Sequence, residues 1–209
     1  STLSNSFTVC QGATGDPCLY QCNEGYTGFE EHVCEAEGHF RGGACEPNPC
    51  SSGLRLPNSN TTCAGVTLDV CEYTCDAGYN ASGSHTCWHD GSFRGGACEA
   101  IPCAAGLSLP HGNNSCSGAT GEVCDYSCVP GYSTGGVHMC MPNGSFVGGS
   151  CIANRCTSGL RLVHSATVCS GVTSDVCLYS CDVGYTSVGI HICDVDGSFR
   201  GGECRANAC

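Results

Sequence analysis

The 209-residue chain has no lysine, a single tryptophan and two methionines, and only 7% of it is aromatic. Its seven cations are all arginine and face 19 carboxylates, for a net charge of −12. A surface that seeks polyanions needs the opposite sign, so nucleic acid and anionic membrane are excluded as partners. No apolar run approaches the roughly 18 residues of a helical span, so no insertion into a bilayer is expected. The first residue is Ser1, with no initiating methionine and no charged-then-apolar leader, so a processed chain or a piece of a longer one is expected. Without its cysteines, the apolar fraction is too small for one large enzyme core, and no catalytic activity is expected. What the chain has instead is 24 cysteines and 31 glycines. So many thiols belong to an oxidising compartment, extracellular or at the cell surface. Glycine with abundant Ser and Thr favours turns and short strands over helices, hence an all-β fold of small disulfide-rich modules.

The cysteines repeat with a step of 53 residues and without insertion or deletion. Cys10, Cys63, Cys116 and Cys169 form one ladder, and Cys18, Cys71, Cys124 and Cys177 a second. Cys22, Cys75, Cys128 and Cys181 form a third, and Cys34, Cys87, Cys140 and Cys193 a fourth. Cys45, Cys98, Cys151 and Cys204 form a fifth, and Cys50, Cys103, Cys156 and Cys209 a sixth. Thr14, Tyr20, Gly25-Tyr26, Phe40 and Gly42-Gly43 recur at the same step, with Thr67, Tyr73 and Phe93 among their counterparts. Strands are expected over Val70–Cys75 and Ser84–Cys87, followed by a two-residue hairpin turn at Asp90-Gly91, Asn143-Gly144 and Asp196-Gly197. The carboxylates of Asp194-Val195-Asp196-Gly197 are read as turn chemistry, because an EF-hand loop needs more ligands and a fixed Glu beyond them.

From Tyr73 the chain reads Tyr73-Thr74-Cys75, then Gly78-Tyr79, Gly83, Cys87, Gly91, Phe93 and Cys98. This string resembles the second half of a complement control (sushi) module, Y-x-C-x2-G-Y-x3-G-x3-C-x3-G-x-W-x4-C, and the resemblance runs four times over the whole chain. Cys98-Glu99-Ala100-Ile101-Pro102-Cys103 is similar to the short link between such modules. There are two departures. Phe40, Phe93, Phe146 and Phe199 stand where the family has Trp, and each module carries two additional cysteines. An epidermal-growth-factor-like module would need a C-x-C pair, which is absent. The resemblance implies modules at residues 1–45 (lacking its first cysteine), 50–98, 103–151 and 156–204, with 205–209 opening a further repeat. It also implies four tandem modules in an elongated rod.

Six cysteines allow 15 pairings, and spacing does not choose among them. The resemblance implies first-to-third and second-to-fourth bonds, Cys50–Cys87 and Cys75–Cys98 in the second module, and leaves Cys63 and Cys71 for each other. Steps of 53 repeat this pattern for Cys103–Cys140, Cys116–Cys124, Cys128–Cys151, Cys156–Cys193, Cys169–Cys177 and Cys181–Cys204. In the first module they leave Cys10–Cys18 and Cys22–Cys45. Cys34 and Cys209 then remain, and their partners are expected in neighbouring repeats outside the chain. The 209 residues would thus be a window on a longer array or one unit of a head-to-tail polymer. No metal or cofactor is expected, because C-x-x-C is missing and the cysteines are structural.

His32, His85, His138 and His191 each precede a cysteine by two and are expected as half-buried rings packed on the bridge rather than metal ligands. Asp16, Asp69, Glu122 and Asp175 are read as acceptors of backbone N–H bonds in the additional loop. The Phe-Arg-Gly-Gly repeats resemble RNA-binding RGG boxes, but the acidic charge and the compartment exclude that role. Asn60, Asn80, Asn113 and Asn143 head N-x-[Ser/Thr] acceptors, so N-glycans are expected, with O-glycans on the many Ser and Thr. The constant module length favours an extracellular structural protein, a glycosylated filament or stalk built with copies of itself or further repeats. The alternative is a sushi-type binding protein, a receptor ectodomain, complement regulator or adhesin that recognises protein or glycan.

Overall fold

The computed structural model describes residues 2–209, and the described residues form short strands, turns and no helix. The chain divides into two compact units, Ser1–Ala100 and Ile101–Cys209. In the first unit, β1 (Pro17–Cys18), β2 (Tyr26–Phe29), β3 (His32–Cys34), β4 (Phe40–Arg41) and β5 (Ala44–Pro47) are followed by an equivalent set. That set is β6 (Val70–Cys71), β7 (Tyr79–Ser82), β8 (His85–Cys87), β9 (Phe93–Arg94) and β10 (Ala97–Ala100). The second unit holds β11 (Val123–Cys124), β12 (Tyr132–Cys140) and β13 (Phe146–Ala153). Its remaining strands are β14 (Val176–Cys177), β15 (Tyr185–Val188), β16 (His191–Cys193), β17 (Phe199–Arg200) and β18 (Glu203–Ala206).

Each set makes one three-stranded antiparallel sheet, as in β6-β8-β9, and one two-stranded ribbon, as in β7-β10. In the third set the strands of both fuse into the long pair β12-β13, with an irregularity between Gly135 and His138. The strand expected over Val70–Cys75 ends at Cys71. Beyond it Tyr73 turns inward, donating its hydroxyl to the Ser82 carbonyl at 2.6 Å and accepting from the Ala97 amide at 3.2 Å. That pair of bonds ties the ribbon to the sheet, and Tyr126 and Tyr179 repeat it.

The hairpin between β8 and β9 differs from the two-residue turn expected. Gly91 donates to the Trp88 carbonyl at 3.0 Å and Trp88 to the Ser92 carbonyl at 2.9 Å, which leaves three residues in the loop. Only Gly91 has a positive φ, +78°, so the form is a turn closed by a left-handed glycine rather than one needing positive φ at both centres.

Eleven disulfides close the modules: Cys10–Cys18, Cys22–Cys45, Cys50–Cys87, Cys63–Cys71, Cys75–Cys98 and Cys103–Cys140. The remaining five are Cys116–Cys124, Cys128–Cys151, Cys156–Cys193, Cys169–Cys177 and Cys181–Cys204. Around them the buried side chains are few. Cys50, Cys63, Cys87 and Phe93 form one small core with Leu54 against it, and Cys156, Cys169, Cys193 and Phe199 form another with Leu160. Cores this small explain the need for covalent closure.

Within the first unit, the additional loop of the second set also forms a joint. Thr67 donates its hydroxyl to the Gly25 carbonyl at 2.7 Å and its amide to the Asn48 carbonyl at 2.8 Å. Thr173, Gly131 and Asn154 make the same contacts in the second unit. The recurrence of Thr67 and Thr173 was readable in the sequence; their joint-forming role is tertiary.

Candidate functional site

The recurring histidines are buried rather than half-buried: His85 is 3% exposed. Its ring stacks on Phe93, with centroids 5.4 Å apart. Nδ1 meets the Gly95 carbonyl and Nε2 the Gly53 carbonyl, the latter at 2.8 Å. Both partners are carbonyl oxygens, so the ring is held between two acceptors from separate segments. His138 and His191 repeat this arrangement with Gly106 and Gly159. His32 departs from it, because its Nε2 is buried without a partner. Two carbonyls around each of the His85, His138 and His191 rings leave no open ligand position there. Among the described residues no group of three or more His, Cys, Asp or Glu stands together to hold a metal ion.

The acids of the additional loop cap backbone. Asp69 Oδ2 accepts the Val66 amide at 2.9 Å, and Asp16, Glu122 and Asp175 accept Ala13, Ala119 and Val172. Asn60, Asn80, Asn113 and Asn143 are all exposed. Asn60 Nδ2 donates to Asp76 at 2.8 Å, and Asn113 Nδ2 to the Cys128 carbonyl at 3.1 Å. Cys34 and Cys209 are free thiols, the first buried and the second exposed.

The surface feature that sequence reasoning missed lies on the second set of strands. The amide at the tip of the additional loop is clamped to the cysteine carbonyl of the adjacent strand, Leu68 to Cys87 at 2.8 Å. The clamp imposes positive φ at this point in all four copies: +90° at Gly15, +88° at Gly121, +74° at Ser174 and +76° at Leu68. Gly accepts that conformation freely, and a branched aliphatic residue does so at a cost. Leu68 nevertheless stands there with its side chain 68% exposed, beside the chain's one tryptophan, Trp88, which is 47% exposed. Leu68, Thr86, Trp88 and His89 line an open cavity of about 300 Å³.

Charge surrounds this apolar patch. The Arg94 guanidinium lies 5.9 Å from the Trp88 ring centroid and pairs with Asp90. The Ser92 hydroxyl donates to Asp90, which with the Ser92 amide and the Arg94 charge holds that carboxyl below its ordinary range. His89 Nε2 lies 3.4 Å from Glu24, across the joint of the first unit. An aromatic face with a guanidinium beside it suits a ligand that joins an apolar face to polar groups. The sequence signal was available in the single tryptophan and in Leu68 taking the place of Gly15 and Gly121.

No family model matches the chain. It is 28% identical to mouse P-selectin over 223 aligned residues, which cover 92% of the chain and 29% of that protein. It is 26% identical to the rat sushi, von Willebrand factor type A, EGF and pentraxin domain-containing protein 1, over 80% of the chain and 5% of that protein. To E-selectin of the dog it is 26% identical, over 88% of the chain and 35% of that protein. The chain thus spans about a third or less of the curated relatives reported.

Proposed function

The chain carries complement control (sushi)-like modules in a variant with an additional disulfide, and from that premise we propose an extracellular binding or adhesion protein that recognises a protein or a glycan. One observation carries this: Leu68 is held at φ +76° with its side chain in solvent beside Trp88. Backbone strain kept for an exposed apolar contact has no use in the core of the module, and it is the kind of feature found where a partner binds. The proposal retains the module bounds 1–45, 50–98, 103–151 and 156–204. A glycosylated filament has no support among the relatives, none of which is named as a fibre protein.

The test uses the whole chain against an immobilised glycan array and a panel of recombinant extracellular domains. Wild type should bind at least one probe, and Trp88→Ala should weaken that binding by about tenfold or more, as for a buried aromatic anchor. Equal binding by wild type and variant would remove the patch from the site. N-glycans belong to the same proposal. Asn60, Asn80, Asn113 and Asn143 are exposed, and Asn60 and Asn113 hold the same repeat position. Intact mass before and after endoglycosidase treatment of secreted protein should shift, and Asn60→Gln and Asn113→Gln should each reduce the shift.

A further inference from the structure

The three-stranded sheet of each copy turns one face toward its buried histidine and cysteine and the other outward. On the outer face the first, second and fourth copies each hold an ion pair: Arg41 with Glu35, Arg94 with Asp90 and Arg200 with Asp196. The third copy has Val147 where the others have arginine, and Asn143 where the second and fourth have aspartate. Residues 103–151 contain no arginine, so nothing restores the pair. The outer face of the third sheet is apolar as a result. Val123 stands opposite Met139 and Met139 opposite Val147 across β11, β12 and β13. Val137 and Met141 flank Met139 at two-residue steps, alternating with buried His138 and Cys140. All five side chains are 36–57% exposed, and they include both methionines of the chain.

The hairpin between β12 and β13 points to what covers this face. In the second and fourth copies aspartate Oδ1 accepts the amide two residues on, Ser92 at 3.1 Å or Ser198 at 3.0 Å. Oδ2 then holds the arginine. Asn143 Oδ1 makes the first of these bonds, accepting the Ser145 amide at 3.1 Å. Asn143 Nδ2 therefore takes the position of Oδ2, beside the place of the guanidinium, and no described residue bonds it. Asn143-Gly144-Ser145 is also an N-x-Ser acceptor, and the side-chain amide nitrogen is the atom that an N-glycan joins. In the second copy the Arg94 guanidinium lies 5.9 Å from the ring of Trp88, whose counterpart is Met141. A sugar on Asn143 thus begins between Val147 and Met141.

We propose that the first N-acetylglucosamine of a glycan on Asn143 packs on this face, covering Val147 and Met141 in place of the ion pair of the other copies. The inference rests on the reading of Asn143 as a glycan acceptor and is independent of the Leu68–Trp88 patch. The sugar ring has an apolar C–H face and an acetyl methyl to lay on the side chains, while its hydroxyls stay in water. Aspartate at this position could carry no sugar, and arginine at 147 would leave an unpaired cation beneath one. The covalent step is transfer from an oligosaccharide carried on a polyprenyl pyrophosphate in the secretory lumen. Nδ2 attacks C1 of the sugar, the N–C1 bond forms and the C1–O bond breaks. The pyrophosphate leaves with the electron pair, and Nδ2 gives up one proton.

The experiment uses the whole chain secreted from eukaryotic cells and two variants. Ser145→Ala removes the acceptor but keeps the Asn143 side chain, and Asn143→Asp restores the residue of the second and fourth copies. Glycopeptide mapping reads occupancy of Asn143, and peroxide oxidation followed by mass spectrometry reads the exposure of Met141. Wild type should carry the glycan, and its Met141 should oxidise about threefold or more slowly than in either variant, because oxidation follows exposure. Trimming wild type to a single N-acetylglucosamine should keep that protection, and the Met141 methyl should show a nuclear Overhauser contact with the sugar. Protection lost on trimming, or equal oxidation of occupied wild type and both variants, would overturn the packing and leave Asn143 a glycan acceptor. A bare Asn143 would overturn both. Occupied wild type that self-associates until Val147→Arg is introduced would assign the face to a second copy and overturn the proposal.

Discussion

His85 Nε2 lies 2.8 Å from the carbonyl oxygen of Gly53, a residue 32 positions earlier in the chain. This contact couples the segment after Cys50 to the sheet at β8, and the same ring covers Phe93. His85→Ala should therefore strand the Gly53 and Gly95 carbonyls and open a cavity beside Phe93. The expected cost is about 3 kcal/mol, from lost packing plus a stranded buried acceptor. Denaturant unfolding would measure it, and a loss below about 1 kcal/mol would contradict the role given to the ring.

Two glycine substitutions separate clash from conformation. At Gly53 φ is +65° and a Cβ would meet the Phe93 carbonyl oxygen at 2.2 Å, whereas at Gly15 φ is +90° and nothing stands within 4 Å of a Cβ. Gly15→Ala should cost about 1 kcal/mol, from conformation alone. Gly53→Ala should cost at least about 2 kcal/mol more, because backbone must move as well. Thermal unfolding of the two variants side by side decides the matter; equal losses would refute the clash.

Leu68→Gly should stabilise the chain and weaken the proposed binding. Removing a branched side chain from φ +76° relieves about 1 kcal/mol of strain, while the apolar contact beside Trp88 disappears. Melting temperature and array binding should move in opposite directions. A variant that loses stability would show that Leu68 is held for packing instead.

Acid should loosen two of the hairpins. The Ser92 hydroxyl bond lowers Asp90 below the ordinary value of 3.8, aided by the Ser92 amide and Arg94. The Arg200 bond lowers Asp196 in the same way. Because folding lowers both values, the contribution is complete above the unfolded value and is lost as the pH falls through that value and then the lower folded one. Asp90→Asn should accordingly flatten the acid limb of a melting-temperature curve. An acid limb as steep as that of wild type would refute the coupling.

The sequence by itself determined what depends on local chemistry and period: the 53-residue step, the oxidising compartment, the short strands and the place of the turn after β8, though not its three-residue form. These follow from residue type, since a cysteine count sets redox context and a Gly at Gly91 permits positive φ wherever the chain runs. Tertiary structure alone decided which groups from distant segments meet. His85 reads as a strand residue beside a cysteine, and its burial depends on a Gly53 carbonyl that only the folded segment brings to the ring. Leu68 argues locally against positive φ, and the clamp to the Cys87 carbonyl overrides that preference. That Cys34 is left without a partner was legible in the cysteine spacing, whereas the unpartnered Nε2 of the buried His32 shows only in the fold.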